Sequence, residues 1–354
     1  MRKPERRFAR ASGKARVRCR GCPDLLKCRG RGGLAGIAVS AAALHLSWPA
    51  PAGDSLRGCP GEWEDDDVPD RLKLLIAESE PPEARDTRRA GTGRSSGESF
   101  VDALRDIVPT ALFHNVRPAE PSGAADAIES YDAVFLAGSP VHAYDDTLRV
   151  RANLDFMRAV FRSGVPSFGS CAGLHLAVVA AGGTVRPNPR GHEIGFARRI
   201  APTVEGCRHP LLDGRPTAYD AAAIHSDEVE ALPGRDAVAL AGNAASAVQA
   251  AEVRCDGGTF WGVQYHPELP LDEVAQAVRR QADALLERGL ARTPADVEAQ
   301  AGLIEAMGQE PDRLDLAWRL GLDRETTDRA RRQTELRNFV RYLVGPTRSH
   351  RGRG

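Results

Sequence analysis

The sequence has no excess of charge: 48 Lys and Arg balance 48 Asp and Glu. No global field therefore draws the chain toward nucleic acid or a membrane surface, and neither is expected as a partner. Long apolar runs are also missing. The best candidate, residues 34–46, contains His45 and falls short of the roughly eighteen residues a membrane span needs. A disulfide framework is not indicated. The seven cysteines (Cys19, Cys22, Cys28, Cys59, Cys171, Cys207 and Cys255) are odd in number and scattered beyond the first thirty residues. That pattern suits a reducing compartment, so a cytoplasmic location is expected. Neither a Walker-type phosphate loop nor a GxGxxG stretch occurs, and no cofactor is expected.

What is present divides into three zones. Residues 1–70 are rich in Arg, Gly, Pro and Ala, with twelve Lys and Arg in residues 1–31 and an acidic run at 64–67. Apolar periodicity is poor there, which predicts a largely disordered arm. Two other readings rank below it. The basic stretch, residues 34–46 and Ala50-Pro51-Ala52 loosely imitate a secretory signal. Cys19-x-x-Cys22 with Cys28 loosely imitates a metal site without a fourth ligand. Residues 71–285 alternate strand and helix signals. Strands are predicted at 72–77 (LKLLIA), 133–137 (AVFLA), 165–169, 237–241 and 259–265. Helices are predicted at 100–107, 147–161 and 174–181, and a polar Gly-rich loop at 91–99. This alternation predicts a mostly parallel sheet covered on both faces. Residues 286–354 read as a helical extension. Leu336, Phe339, Val340 and Leu343 recur at helical spacing in it, which predicts packing on the domain ahead of a partner surface.

Two stretches carry chemistry. In Val165-Pro-Ser-Phe-Gly169-Ser170-Cys171-Ala172-Gly173-Leu174-His175 an apolar strand meets a turn of small residues, and a helix begins at once. Such an elbow pushes one side chain out over the carboxyl edge of the sheet. It puts Cys171 at a helix N-terminus, which favours thiolate, and leaves the Ala172 N–H facing a developing oxyanion. Alone, the pattern is equally that of a buried structural cysteine. The second stretch is Trp261-Gly-Val-Gln264-Tyr265-His266-Pro267-Glu268. Residues two apart in extended chain project to one side, so Glu268 can orient His266 while His266 faces Cys171. The pair turns the cysteine reading toward a catalytic nucleophile.

Together with Leu136-Ala137-Gly138-Ser139-Pro140, these stretches resemble the class I (triad-type) glutamine amidotransferase family over roughly residues 72–270, in a stand-alone form similar to the glutaminase domain of GMP synthase. The resemblance implies a flavodoxin-like three-layer α/β sandwich with a mostly parallel central sheet, extended here by the C-terminal helices. It implies that Cys171 attacks the side-chain amide of glutamine, with His266 as acid and base and Glu268 as its orienter. Gly138, Ser139 and Ala172 then supply the oxyanion hole. Gly173, His175 and Glu193 become candidate substrate contacts, and an ammonia-accepting synthetase becomes a candidate partner. One departure stands out: the family has Gln four residues after the nucleophile, and this chain has His175.

His175 leaves a rival open, a hydrolase of γ-glutamyl or other amides without ammonia transfer. A non-enzymatic binding or regulatory module is the second rival. Gly191-His192-Glu193 reads either as a substrate-holding segment or as a solvated turn. His225 reads as a loop-stabilising residue ahead of a residue at the mouth of the site. His142, Tyr144 and Asp145 are expected at the rim, and Gln264 as a structural strand residue.

Overall fold

The structure is a computed structural model that describes residues 71–120 and 127–352. The arm at 1–70, with its signal-like and Cys-x-x-Cys readings, lies outside the described residues.

One sheet of nine strands organises the chain. Its first half is parallel: β2 (Leu112–Val116), β1 (Lys73–Ala77), β3 (Ala133–Leu136), β4 (Ser167–Ser170) and β11 (Gly258–Val263) lie side by side in that order. From β11 the sheet continues antiparallel through β10 (Ala250–Cys255), β9 (Ala237–Gly242), β6 (Glu193–Pro202) and β7 (Tyr219–His225). A two-stranded ribbon of β5 (Thr184–Pro187) and β8 (Asp227–Ala231) stands apart.

Successive strand residues point to opposite faces, so β1 feeds two cores. Leu74 and Ile76 join one with Phe100, Phe135, Phe168 and Trp261. Leu75 and Ala77 join the other with Val134, Leu136 and Phe260. Helix α2 (Ser96–Arg105) covers the first face. Helices α3 (Leu148–Ser163) and α4 (Ala172–Ala180) cover the second. The result is the expected three-layer α/β sandwich. The antiparallel half of the sheet was not assigned from sequence.

Local chemistry fixes where helices start. A polar loop is expected over 91–99, yet α2 begins inside it. Ser95 accepts from the Glu98 N–H and Glu98 returns the bond to the Ser95 N–H, a capping box that draws the helix start back to Ser96. Before it, α1 (Pro82–Thr92) buries no residue. It is defined by Pro82 at its first position and by Gly93 at its end with φ +76°.

The C-terminal helices pack on the sandwich. Helix α5 (Leu271–Arg280), α6 (Ala282–Glu287), α7 (Pro294–Gln309) and α8 (Leu314–Leu320) follow one another. These four helices build a third core with Phe196 and Ala222, α6 through Leu285. The stretch from 325 to 344 is broken where one amphipathic helix is the simpler reading: α9 (Arg324–Thr327), α10 (Arg329–Arg332) and α11 (Thr334–Phe339) lead into a π-helical turn. Asp328 caps α10 by accepting from the Arg331 N–H. Leu336, Phe339 and Val340 are buried on the first face, with Phe339 5.3 Å from Phe135 and 5.5 Å from Phe168 between ring centroids. Among the described residues no helix is long and apolar enough to cross a membrane.

Candidate active site

Strand β4 ends at Ser170, and α4 starts at Ala172. Cys171 between them has φ +51° and ψ −110°, a conformation an L-residue rarely holds. Strain of this kind costs on the order of 1–3 kcal/mol and concentrates at functional positions. Neighbouring glycine makes the turn possible. A Cβ on Gly173 would strike the Leu136 carbonyl, so α4 can sit this close to β3 only with glycine there. The Cys171 N–H donates to the Val263 carbonyl at 2.8 Å, tying the elbow to the end of β11.

That strand end carries the second half of the site. The His266 N–H donates to the Ala222 carbonyl at 2.8 Å, and its Nδ1 lies 2.7 Å from Glu268 Oε1. Ser170 Oγ donates to the same carboxylate oxygen at 2.9 Å. Glu268 Oε2 is buried, with no hydrogen-bond partner among the described residues. Burial disfavours a charged imidazole at His266, but the Glu268 carboxylate and hydrogen bonding with Cys171 prevail and raise its pKa to about 10. Gly138 is the meeting point: a Cβ there would lie 2.7 Å from His266 Cε1 and 3.6 Å from Cys171 Cβ. Any side chain at 138 would press on the imidazole and meet the Cys171 side chain. A thiol, an imidazole and an orienting carboxylate thus converge as general-base-assisted nucleophilic chemistry requires.

Cys171 and His266 open onto a cavity of about 590 Å³. Gly138, Ser139, His142, His175, His192, His225 and Asp227 share its lining. Ser139 Oγ accepts from Ser79 Oγ at 2.8 Å and from the Val141 N–H at 3.3 Å, which pins the turn after β3. His175 is buried, with Nε2 2.7 Å from Gln264 Oε1. Burial lowers its pKa to about 4, so it is neutral at physiological pH and donates its one N–H to Gln264. With Nε2 engaged by Gln264, Nδ1 is the acceptor left on the neutral ring.

Glu193 differs from both of its readings. It is no solvated turn and does not line the cavity; it opens β6 and is buried. Its Oε1 accepts from Asn243 Nδ2 at 2.7 Å, and its Oε2 from Gln249 Nε2 at 2.5 Å and His225 Nε2 at 2.8 Å. With those donors in place it supports His225 instead of reading a ligand. Asp227, buried in the lining, takes His142 Nδ1 at 2.6 Å, and Tyr144 stacks on His142 at 5.3 Å. Asp145 is not in the lining.

Sequence reasoning missed the wall opposite. It is formed by Glu80, by Glu83, Thr87 and Arg88 of α1, and by Glu273, Arg280 and Gln281 in and after α5. Ser170 as a partner of Glu268 was also missed, although its place beside Cys171 in a buried strand was a usable signal. A larger cleft, about 1550 Å³, lies behind Glu268 between α2, α5 and the C-terminal helices and contains neither Cys171 nor His266. Among the described residues no group of three His, Cys, Asp or Glu side chains is placed to hold a metal.

Comparison with known proteins places the chain in a family. The model of the family "Glutamine amidotransferase class-I" matches residues 95–282. A γ-glutamyl-L-1-hydroxyisopropylamide hydrolase of a Pseudomonas species is 33% identical over 284 residues, which is 78% of this chain and 95% of that protein. A glutamine-hydrolysing GMP synthase of Leifsonia xyli subsp. xyli is 30% identical over 168 residues, 47% of this chain but only 32% of that protein, so this chain spans about a third of its length. Among solved structures, a glutamine amidotransferase from Thermotoga maritima superposes with a TM-score of 0.55 at 14% identity, over 76% of this chain and 99% of that one. At that identity the likeness speaks for the fold alone.

Proposed function

The chain belongs to the class-I glutamine amidotransferase family and is an amide-hydrolysing enzyme, and from that premise we propose that it hydrolyses γ-glutamyl amides, with N-substituted amides as the preferred substrates. The observation that carries this reading is the cavity that continues past Cys171 and His266 to the α1–α5 wall. A carboxamide with no substituent has no use for that room. The similarity to the Pseudomonas hydrolase along nearly its whole length supports the same reading.

In the proposed reaction the Cys171 thiolate adds to the γ-carbonyl. The oxyanion is held by the backbone N–H groups around Gly138 and Ser139 and by that of Ala172. The tetrahedral adduct collapses, the C–N bond breaks, and the imidazolium of His266 gives its proton to the departing nitrogen. The products of this half-reaction are a free amine and a glutamyl thioester on Cys171. His266, now neutral, takes a proton from water; the hydroxide adds to the thioester, the C–S bond breaks, and glutamate leaves. Glu268, steadied by Ser170, keeps His266 in one orientation and favours its charged form.

A second reading is glutamine hydrolysis with ammonia passed to a synthetase partner. The match to GMP synthase favours it. Glutamate release from glutamine and from a series of N-alkyl γ-glutamyl amides separates the two. The hydrolase reading expects higher kcat/KM for the substituted amides. Turnover of glutamine alone, rising on addition of a purine-nucleotide synthetase, would transfer the assignment to the second reading.

A further inference from the structure

The cavity has two unlike ends. At one end Asp227, bonded to His142, stands with Ser226 and the neutral His175. At the other, α1 and α5 face each other. Glu83 and Thr87 are four apart on α1, and Glu273, Ala277, Arg280 and Gln281 follow helical spacing along and just past α5. His266 adjoins the second group, since Leu269, in the segment that leads from His266 into α5, lines the cavity with it. An amide must present its nitrogen to the imidazole that protonates it. A substituent on that nitrogen therefore runs along the α1–α5 wall, and the acyl group takes the Asp227 end.

The charges on that wall are unequally matched. Arg88 Nη2 donates to Glu273 Oε2 at 2.7 Å, and its Nη1 is 3.8 Å from Glu80 Oε1. Glu273 also accepts from Ser99 Oγ at 2.8 Å, and Glu80 Oε2 from the Ser96 N–H at 3.2 Å. Thr87 donates to the Glu83 carbonyl at 2.8 Å. Arg280 forms no hydrogen bond or ion pair among the described residues; its Nη1 lies over Gly91 of α1, 3.7 Å from where a Cβ would be. Its guanidinium lines the cavity within electrostatic reach of Arg88, Glu273 and Glu80, with its hydrogen-bond donors unengaged.

We propose that the α1–α5 wall is the leaving-amine subsite and that Arg280 is its specificity-determining residue, selecting γ-glutamyl amides whose amine carries an acceptor oxygen, as a hydroxyl or a carboxylate. This rests on the γ-glutamyl hydrolase reading of the same site. A guanidinium with free donors gains a charge-assisted bond from such an oxygen and nothing from a methyl group.

The test uses three amides of similar size, γ-glutamylethylamide, γ-glutamylethanolamide and γ-glutamylglycine, with kcat and KM measured for the full-length protein, Arg280→Ala and Arg280→Lys. The wild type is expected to favour at least one oxygen-bearing amide over the ethylamide by about tenfold in kcat/KM, mainly through KM. Arg280→Ala should bring that ratio close to one, and Arg280→Lys should retain part of it. Preference for only the ethanolamide or only the glycine amide supports the proposal and identifies the acceptor. A wild type that treats all three alike, or a preference that survives in Arg280→Ala, overturns the proposal and leaves the hydrolase reading standing. A wild type that releases glutamate from none of them removes the hydrolase reading, and this proposal with it.

Discussion

Two clusters of buried charge meet at the consecutive residues Tyr265 and His266. On one side His266, Glu268 and Ser170 share a single carboxylate oxygen, and Glu268 Oε2 is left buried without a partner among the described residues. Gln264 Nε2 nearby is also unpartnered. On the other side Arg215, 1% exposed, donates to both oxygens of Glu335 at 2.7 Å and to Glu325 Oε2 at 2.9 Å. Tyr265 Oη donates to Glu335 Oε1 at 2.8 Å and lies 2.9 Å from Tyr219 Oη. No side-chain polar atom of this second cluster is buried without a partner. The chemistries are alike, an acid held against a cation in a dry setting. The difference is the cavity. The open cluster sits beside the strained backbone of Cys171, a kind of strain that concentrates at functional positions. In the sealed cluster every donor finds its acceptor, and the cluster serves to hold the C-terminal helices on the sheet.

The sharpest way to break this contrast is Cys171→Ala. It removes the sulfur and keeps the backbone, so hydrolysis should fall by at least about 10⁴-fold while the melting temperature stays close to that of the wild type. Mass mapping after treatment with a glutamine-analogue alkylator should place the adduct on Cys171 and not on Cys207 or Cys255. Measurable turnover in the variant at wild-type rate would end the assignment.

Next in size is Glu268→Gln. An amide can orient His266 but cannot hold its charge, so kcat should drop by roughly 10²–10⁴-fold. The pH dependence adds a second readout. In the proposed reaction imidazolium is the acid that protonates the departing amine, so the rate should fall as pH rises through the His266 pKa, about 10 in the intact site. Without the carboxylate that limb should move down toward the ordinary histidine value near 6.5. The stability term has the same sign. A folded pKa raised above the unfolded one stabilises fully below about pH 6.5, and the contribution is lost as pH climbs to about 10. An alkaline limb that stays in place in Glu268→Gln would mean that another group donates the proton.

The residues proposed to react were legible as a group in the sequence because each sits in a short-range pattern. Small residues around Cys171 announce a turn, and the two-residue step from His266 to Glu268 announces a shared face. The wall was not legible. Helix α1 buries nothing, so its sequence PEARDTRRAGT has no apolar period to detect. Arg280 and Glu83 meet the cavity only through the packing of α5 against α1. The antiparallel half of the sheet was hidden for a similar reason, since pairing of β6 with β7 and β9 is decided by distant partners. Neither of the two readings of Glu193, substrate contact or solvated turn, anticipated its buried network, because its three donors, His225, Asn243 and Gln249, come from far along the chain.

The smallest effect on turnover is expected from the sealed cluster, and it separates scaffold from site. Arg215→Met leaves the buried Glu335 without a cation, while Glu325 keeps Arg331 at 2.6 Å. Breaking a buried pair from one side typically costs about 3–5 kcal/mol, because the remaining charge stays uncompensated. Urea unfolding should show a loss of that size. Adding Glu335→Leu should recover part of it, since an apolar replacement for a whole pair is often neutral. The protein that remains folded should lose far less turnover than Glu268→Gln, with its alkaline limb unmoved, because Tyr265 touches the cluster while His266 takes its charge from Glu268. If Arg215→Met instead shifted that limb at unchanged stability, the second cluster would be part of the catalytic apparatus, and the division between an open and a sealed cluster would have to be given up.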